Sequence, residues 1–232
     1  MSRVLPMQFN SEMVRAILDG RKTVTRRKVK PKHLIGFGCD RCPNNMPEEY
    51  IKEKKYLFKP YCDMSDDKLI GTIYKPPCEP GDILYVREAW FYESHMEDLT
   101  AGEPDLPSGG YSHRYIYKAD DSDYPVSVGV GGTGWQPPGT MPKEAARIWL
   151  KVTDVRVEQL QDMTLDDFLS EGAGPNPEAF NDPENAYGQA KRIFMDIWNS
   201  TIKKPDQDLY GWNANPWVWV IEFERCEKPK EE

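Results

Sequence analysis

Lys22 and Thr25 stand three positions apart in the stretch Gly20-Arg21-Lys22-Thr23-Val24-Thr25-Arg26-Arg27. An amine beside a hydroxyl suits acyl transfer or amide hydrolysis, provided the amine can be held neutral. Like charge nearby and partial burial both disfavour the ammonium form. Arg21, Arg26 and Arg27 supply the like charge, which makes Lys22 a candidate general base toward the Thr25 hydroxyl. The same eight residues also read as a solvated basic turn, the usual fate of a charge run. A regular strand through both residues would send their side chains to opposite faces. Convergence therefore requires a bulge or a turn between them.

Two segments must position this stretch. Ahead of it, Asn10 or Ser11 supplies an N-cap, and Met13, Val14, Ile17 and Leu18 form the apolar stripe of a helix that Gly20 ends. Further on, Thr164 caps a short helix with Asp167 at the capping-box distance. Leu165, Phe168 and Leu169 form its buried face, and Gly172 lies just past its end. Glu171 is the last side chain of that helix. A carboxylate is unfavourable at a helix C-terminus, so Glu171 is either solvated or held by a cation.

Strands account for much of the rest. Thr23 to Thr25 reads as a short strand, and the turn Pro80-Gly81-Asp82 leads into another from Ile83 to Trp90, with Glu88 near its end. Ser112 to Lys118 is a further strand. From Arg147 to Leu160 the apolar positions Ile148, Leu150, Val152, Val155 and Val157 change phase near Thr153-Asp154, which predicts a bulge or bend. Gly188 to Asn199 reads as a helix with Ile193, Phe194, Ile197 and Trp198 on its buried stripe. A closing strand from Trp217 to Glu224 places Trp217, Trp219, Ile221 and Phe223 on one face, a pattern of core rather than of a base-stacking platform.

The chain has 232 residues, 39% of them hydrophobic, which is enough for one large domain. Its prolines and glycines cluster at 29–46, 75–81, 104–110 and 125–142, as loops between periodic segments. With a formal net charge of −8 the chain does not suit a wide polynucleotide-binding face. A local basic pocket remains, because residues 21 to 32 hold seven Lys or Arg and no acid. One nucleotide or a short single strand fits that asymmetry. No apolar run approaches the ~20 residues of a membrane span, and no signal-peptide core is visible, so a cytoplasmic protein without membrane partners is expected. On that expectation the glycosylation match Asn199-Ser200-Thr201 is set aside. The match to GxGxxG from Gly129 to Gly134 is rejected too, because Trp135-Gln136-Pro137-Pro138 follows where a helix must open.

Four of the five cysteines, Cys39, Cys42, Cys62 and Cys78, lie in the least regular part of the chain, residues 33 to 80. A CxxC pair followed by two further thiols is a donor set for a structural tetrahedral zinc. Free reduced thiols are the alternative, since Cys62 and Cys78 do not form a second CxxC. No cofactor is expected for catalysis.

The order of elements reads as an α+β protein, a small and mostly antiparallel barrel with helices at its ends. The helix with GRKTVTRR, the PGDILYVREAW strand, Trp135 with Met141 to Arg147, the VTDVRVEQLQDMT segment leading to Glu171-Gly172, and the terminal NPWVWVIEFER together resemble the ASCH family, in particular its larger phage and bacterial branch. The resemblance implies a PUA-like β-barrel with a central cleft, spanning 1–226 as a single domain. It leaves insertions at about 33–80, 94–110 and 172–188 and a charged tail at 227–232. Small bacterial members are amidohydrolases acting on N4-acetylcytidine. Their Lys, Thr and Glu carry over to Lys22, Thr25 and Glu171, while those enzymes lack the insertions. In that mechanism Thr25 or water attacks the amide, Lys22 takes the proton, and Glu171 orients Lys22 or protonates the leaving amine. Arg26 and Glu88 are candidates for contacts to a nucleoside substrate. The rival reading is a non-catalytic binder of RNA or of a modified nucleotide using the same cleft, and a ribonuclease is a further alternative.

Overall fold

The computed structural model describes residues 2–29, 57–62, 69–74, 76–96, 111–120, 123, 134–174 and 183–230, with backbone alone at 57–62, 69–74, 93–96, 111–114 and 183–185. The chain begins with β1 (Val4–Gln8), α1 (Ser11–Leu18) and β2 (Val24–Lys28), followed by β3 (Leu57–Cys62) and β4 (Leu69–Tyr74). Next come β5 (Ile83–Arg87), β6 (Trp90–Met96), β7 (Tyr111–Tyr117) and the long β8 (Trp149–Gln159). Three helices, α2 (Leu165–Ser170), α3 (Pro183–Thr201) and α4 (Gln207–Tyr210), precede the closing strand β9 (Trp217–Cys226).

The architecture is α+β. Five strands form one mixed sheet in the order β1-β5-β8-β9-β2, and β3 with β4 and β6 with β7 form separate two-stranded sheets. Within the main sheet β1 and β5 are parallel and the other neighbours antiparallel. The register of β8 on β9 shifts between Val152 and Asp154, so the phase change in the sequence at Thr153 is a bulge, where one residue more on one strand re-aims the side chains beyond it.

β9 is buried on both faces. Trp219, Ile221 and Phe223 join Val14, Ile17, Leu84, Leu150 and Val152 in one core under α1. Val218 and Val220 point the other way, into a second core with Phe168, Phe194, Trp198 and Trp212 under α2 and α3. The aromatic stripe of the closing strand is therefore core. On α3 the stripe is narrower than the sequence implies: Phe194 and Trp198 are buried, whereas Ile193 is exposed. β1, β3, β4 and β6 do not emerge from the sequence pattern: proline interrupts β1 and β3, β3 and β4 fall in the stretch read as irregular, and the strand expected from Ile83 to Trp90 divides into β5 and the start of β6.

The sheet order starts at β1 and ends at β2, and these edges are not paired as strands among the described residues. They nevertheless approach one another, since Arg27 Nη2 on β2 donates to the Gln8 carbonyl oxygen on β1 at 2.7 Å. The sheet thus curls until its two edges flank one gap.

Candidate functional site

Lys22 is placed by the end of α1. Asn10 caps the start of this helix, its side chain accepting from the Met13 N–H at 2.8 Å. At the other end the Gly20 N–H bonds to the Ile17 carbonyl and the Arg21 N–H to the Ala16 carbonyl, with Gly20 at φ 75°. This paired arrangement closes a helix and suits glycine, because L side chains crowd the left-handed region. The Lys22 N–H returns to the Ala16 carbonyl as well, at 2.9 Å. Lys22 therefore lies in a turn ahead of β2, outside the alternation of the strand, which meets the condition for it to share a site with Thr25.

α2 delivers the carboxylate by the same device. Its start carries a full capping box between Thr164 and Asp167. Its end is closed by Gly172 N–H to the Leu169 carbonyl and Ala173 N–H to the Phe168 carbonyl. Glu171 is the capping residue between, and it is 4% exposed. Lys22 Nζ donates to Glu171 Oε2 at 2.5 Å, to the Glu171 carbonyl oxygen at 2.9 Å and to the Val24 carbonyl oxygen at 2.7 Å. All three ammonium protons are used, one of them at the negative end of α2. The second carboxylate oxygen, Oε1, accepts from Arg26 Nη1 at 3.3 Å, while Arg26 Nη2 donates to Asp167 Oδ1 at 2.7 Å. Glu171 is thus clamped between two cations.

The electrostatics follow from burial. Desolvation pushes the Lys22 amine below its ordinary value, the Glu171 carboxylate opposes this, and Arg27 and Arg26 add to the lowering. Burial alone would raise the Asp167 carboxyl, but the Thr164 hydroxyl and N–H and the Arg26 guanidinium hold it below the usual value.

Lys22, Thr25, Arg26 and Glu171 line a cleft of about 540 Å³, a size that suits a small organic ligand. Its walls are β2 on one side, Gln8, Phe9, Asn10 and Met13 on another, and the α3 face carrying Phe194, Ile197 and Trp198 on a third. Side-chain alternation along β2 is visible in the register: Thr25 and Arg27 stand opposite Ile221 and Trp219, toward α1, and Arg26 opposite Val220, toward α2 and α3. The Thr25 hydroxyl forms no hydrogen bond among the described residues. Phe9 faces two of the cations, with Lys22 Nζ 5.9 Å and Arg27 Cζ 5.0 Å from its ring centroid.

Four of the five candidate residues, Lys22, Thr25, Arg26 and Glu171, meet at this cleft, Arg26 as a partner of Glu171. Glu88 does not. It is 1% exposed and bound in a separate fork by Arg147, whose Nε and Nη2 donate to its two oxygens at 2.9 and 3.0 Å. Arg147 also pairs with Asp120 at 2.6 Å and lies over the Tyr117 ring. Burial pushes the Glu88 carboxyl up and Arg147 counteracts it, so Glu88 serves a structural ion pair away from the cleft. Asp167 and Phe9 are the residues sequence reasoning passed over. Asp167 is legible only as a capping residue. Phe9 stands directly before the Asn10 cap, where an apolar residue staples to the fourth helical position, Val14.

Cys39 and Cys42 lie outside the described residues, as does the side chain of Cys62. Cys78 is buried in the core beside α1, and burial pushes its thiol up to about 12. Among the described residues no cluster of three or more His, Cys, Asp or Glu could hold a metal ion, and no helix is long and apolar enough to cross a membrane.

Fold and site together define an α+β protein with a cation-rich cleft built on a buried Lys–Glu pair. No protein-family model, curated protein or solved structure matches the chain.

Proposed function

We propose that the protein is an amidohydrolase that removes acyl groups from N4-acylated cytosine nucleosides, working from a PUA-like barrel of the ASCH type. The observation that carries this reading is the Lys22–Glu171 pair, joined at 2.5 Å in the wall of a cleft that Thr25 also lines. The curled sheet, whose edges β1 and β2 flank the cleft, supports the barrel reading.

In this mechanism burial weakens the hold of Lys22 on its proton, and Glu171 orients the amine. The neutral amine then takes the proton of the Thr25 hydroxyl as its oxygen attacks the amide carbonyl. The C–N bond breaks as the protonated pair returns a proton to the leaving N4 amine, and water releases the acyl group from Thr25. Arg26 holds Glu171 in place through the reaction rather than contacting the base. Phe194, Ile197 and Trp198 give the substrate an apolar wall.

A second reading has specific support. The ammonium of Lys22 has all three protons matched, which is also the arrangement of a static binding site, so a non-catalytic binder of a modified nucleotide or short RNA is the rival. Incubating purified protein with N4-acetylcytidine and following release of cytidine by chromatography decides between them. Conversion that disappears in Lys22→Met supports the hydrolase. Binding of the nucleoside without conversion supports the binder.

A further inference from the structure

Four cations line the cleft, and three of them are matched by acids. Lys22 is paired with Glu171, Arg26 with Glu171, Asp167 and Glu158, and Lys28 with Asp206 at 3.6 Å. Arg27 forms no ion pair among the described residues. Its guanidinium is nevertheless fixed in place: Nη2 donates to the Gln8 carbonyl oxygen, and the group lies over the Phe9 ring. Its Nε is buried without a hydrogen-bond partner. A guanidinium carries five N–H donors in a rigid fork; with Nε enclosed and one Nη2 proton on Gln8, the Nη1 protons and the second Nη2 proton are left for a ligand. Donors that reach the cleft are completed by water or by a ligand, and a guanidinium already held in place is pre-organised for an anion.

Three features narrow the ligand. The planar fork of arginine suits an anion with several oxygens, bound through two parallel N–H···O contacts. The net charge of −8 opposes a long polyanion but not a single charge at short range. The cleft volume of about 540 Å³ accommodates a ligand of nucleotide size. We propose that Arg27 holds a phosphate of the ligand, so that the cleft takes a phosphate-bearing cytosine nucleotide in preference to the free nucleoside. This rests on the cytosine reading above. Two sources present the same chemistry, the phosphomonoester of a mononucleotide and the phosphodiester of a short strand.

The test is calorimetric binding of cytidine, cytidine 5′-monophosphate and the dinucleotide cytidylyl-cytidine at one ionic strength, to the parent protein, Arg27→Gln and Arg27→Lys. A charge-assisted contact implies a gain of about tenfold or more in Kd over cytidine for at least one phosphorylated ligand, and the stronger of the two names the source. The ratio falls toward one in Arg27→Gln and partway in Arg27→Lys, which keeps the charge but loses the fork. Melting curves identify a variant that has lost its fold, and Arg27→Lys then carries the comparison. Equal affinity for all three ligands in the parent overturns the proposal, as does a gain that survives in a folded Arg27→Gln. None of the ligands contains an acyl group, so failure here is separable from failure of the hydrolase reading. Turnover of N4-acetylcytidine without a phosphate gain removes this inference alone. A phosphate gain without turnover removes only the hydrolysis. Binding of none of the three overturns this inference and leaves the hydrolase reading to the turnover assay.

Discussion

Gly172 and Ala16 meet where the ends of α2 and α1 converge: a Cβ at Gly172 would come within 2.7 Å of the Ala16 Cβ and 3.3 Å of the Lys22 Cβ. Gly172 also has φ 80°, so it is needed for its backbone conformation as well as for its missing side chain. This contact lets Glu171, its neighbour, reach the Lys22 amine.

Gly172→Ala is therefore expected to cost more than ~1 kcal/mol of stability, since both the left-handed backbone and the contact with Ala16 are strained. For a chain of this size each ~1 kcal/mol lowers Tm by about 2–4 °C. Because the strain falls on Lys22, deacylation should decline in the molecules that remain folded. Thermal melts with activity per folded molecule measure both, and a variant with unchanged Tm and turnover would show that the convergence of the helix ends is dispensable.

The Lys22–Glu171 pair is buried, and without Lys22 the carboxylate keeps only the longer contact to Arg26. Lys22→Met should abolish turnover and destabilise by less than the roughly 3–5 kcal/mol of a buried charge left with no partner. Combining it with Glu171→Gln removes the second charge and should recover much of that loss without restoring activity. Urea unfolding of the two single variants and the double variant gives the coupling directly. Normal kinetics in Lys22→Met would sink the assignment of the base.

Much of this site is legible in the residues themselves, for physical reasons that differ from place to place. Asn10, Gly20, Thr164, Asp167 and Gly172 announce both ends of two helices through capping chemistry that depends on only a few neighbours. The phase change at Thr153 announces a bulge for the same local reason. What stays hidden depends on distant partners. Glu88, just past β5, and Arg26, on β2, look alike as charged residues in strand-like sequence, yet one is forked by Arg147 and the other clamps Glu171. The parallel pairing of β1 with β5 is hidden too, because it joins distant segments, beside which the Arg3 N–H and guanidinium meet Asp82 across 79 positions of chain. Even the exposure of Ile193 follows from how α3 is seated, not from its spacing.

Burial lowers the Lys22 amine, and the sign of its pH dependence follows. In the window between its lowered folded value and the ordinary 10.5, the unfolded chain binds more protons than the folded one. Stability contributed by this group therefore rises with pH across that window, and the full penalty of burying the ammonium applies below it. Activity should fall on the acid side of the same window as the base protonates. Denaturant unfolding of the parent and Lys22→Met at several pH values isolates the effect as a difference in slope. A difference that does not vary with pH would mean that Lys22 titrates as it does in the unfolded chain.

Thr25 separates a covalent mechanism from direct attack by water. Its side chain faces the α1 side of β2 and is 4% exposed, so Thr25→Val keeps the shape and removes only the hydroxyl. The hydroxyl has no hydrogen-bond partner among the described residues, so its loss should leave stability within about 1 kcal/mol of the parent. If Thr25 Oγ1 is the nucleophile, the variant loses turnover by several orders of magnitude, and rapid quenching of the parent with a slowly hydrolysed acyl substrate traps an acyl group on the peptide containing Thr25. Mass spectrometry of that peptide reads the adduct directly. Thr25→Ser retains a primary hydroxyl and should keep measurable turnover. Wild-type rates in Thr25→Val would instead assign the attack to water and leave Lys22 and Glu171 as its activating pair.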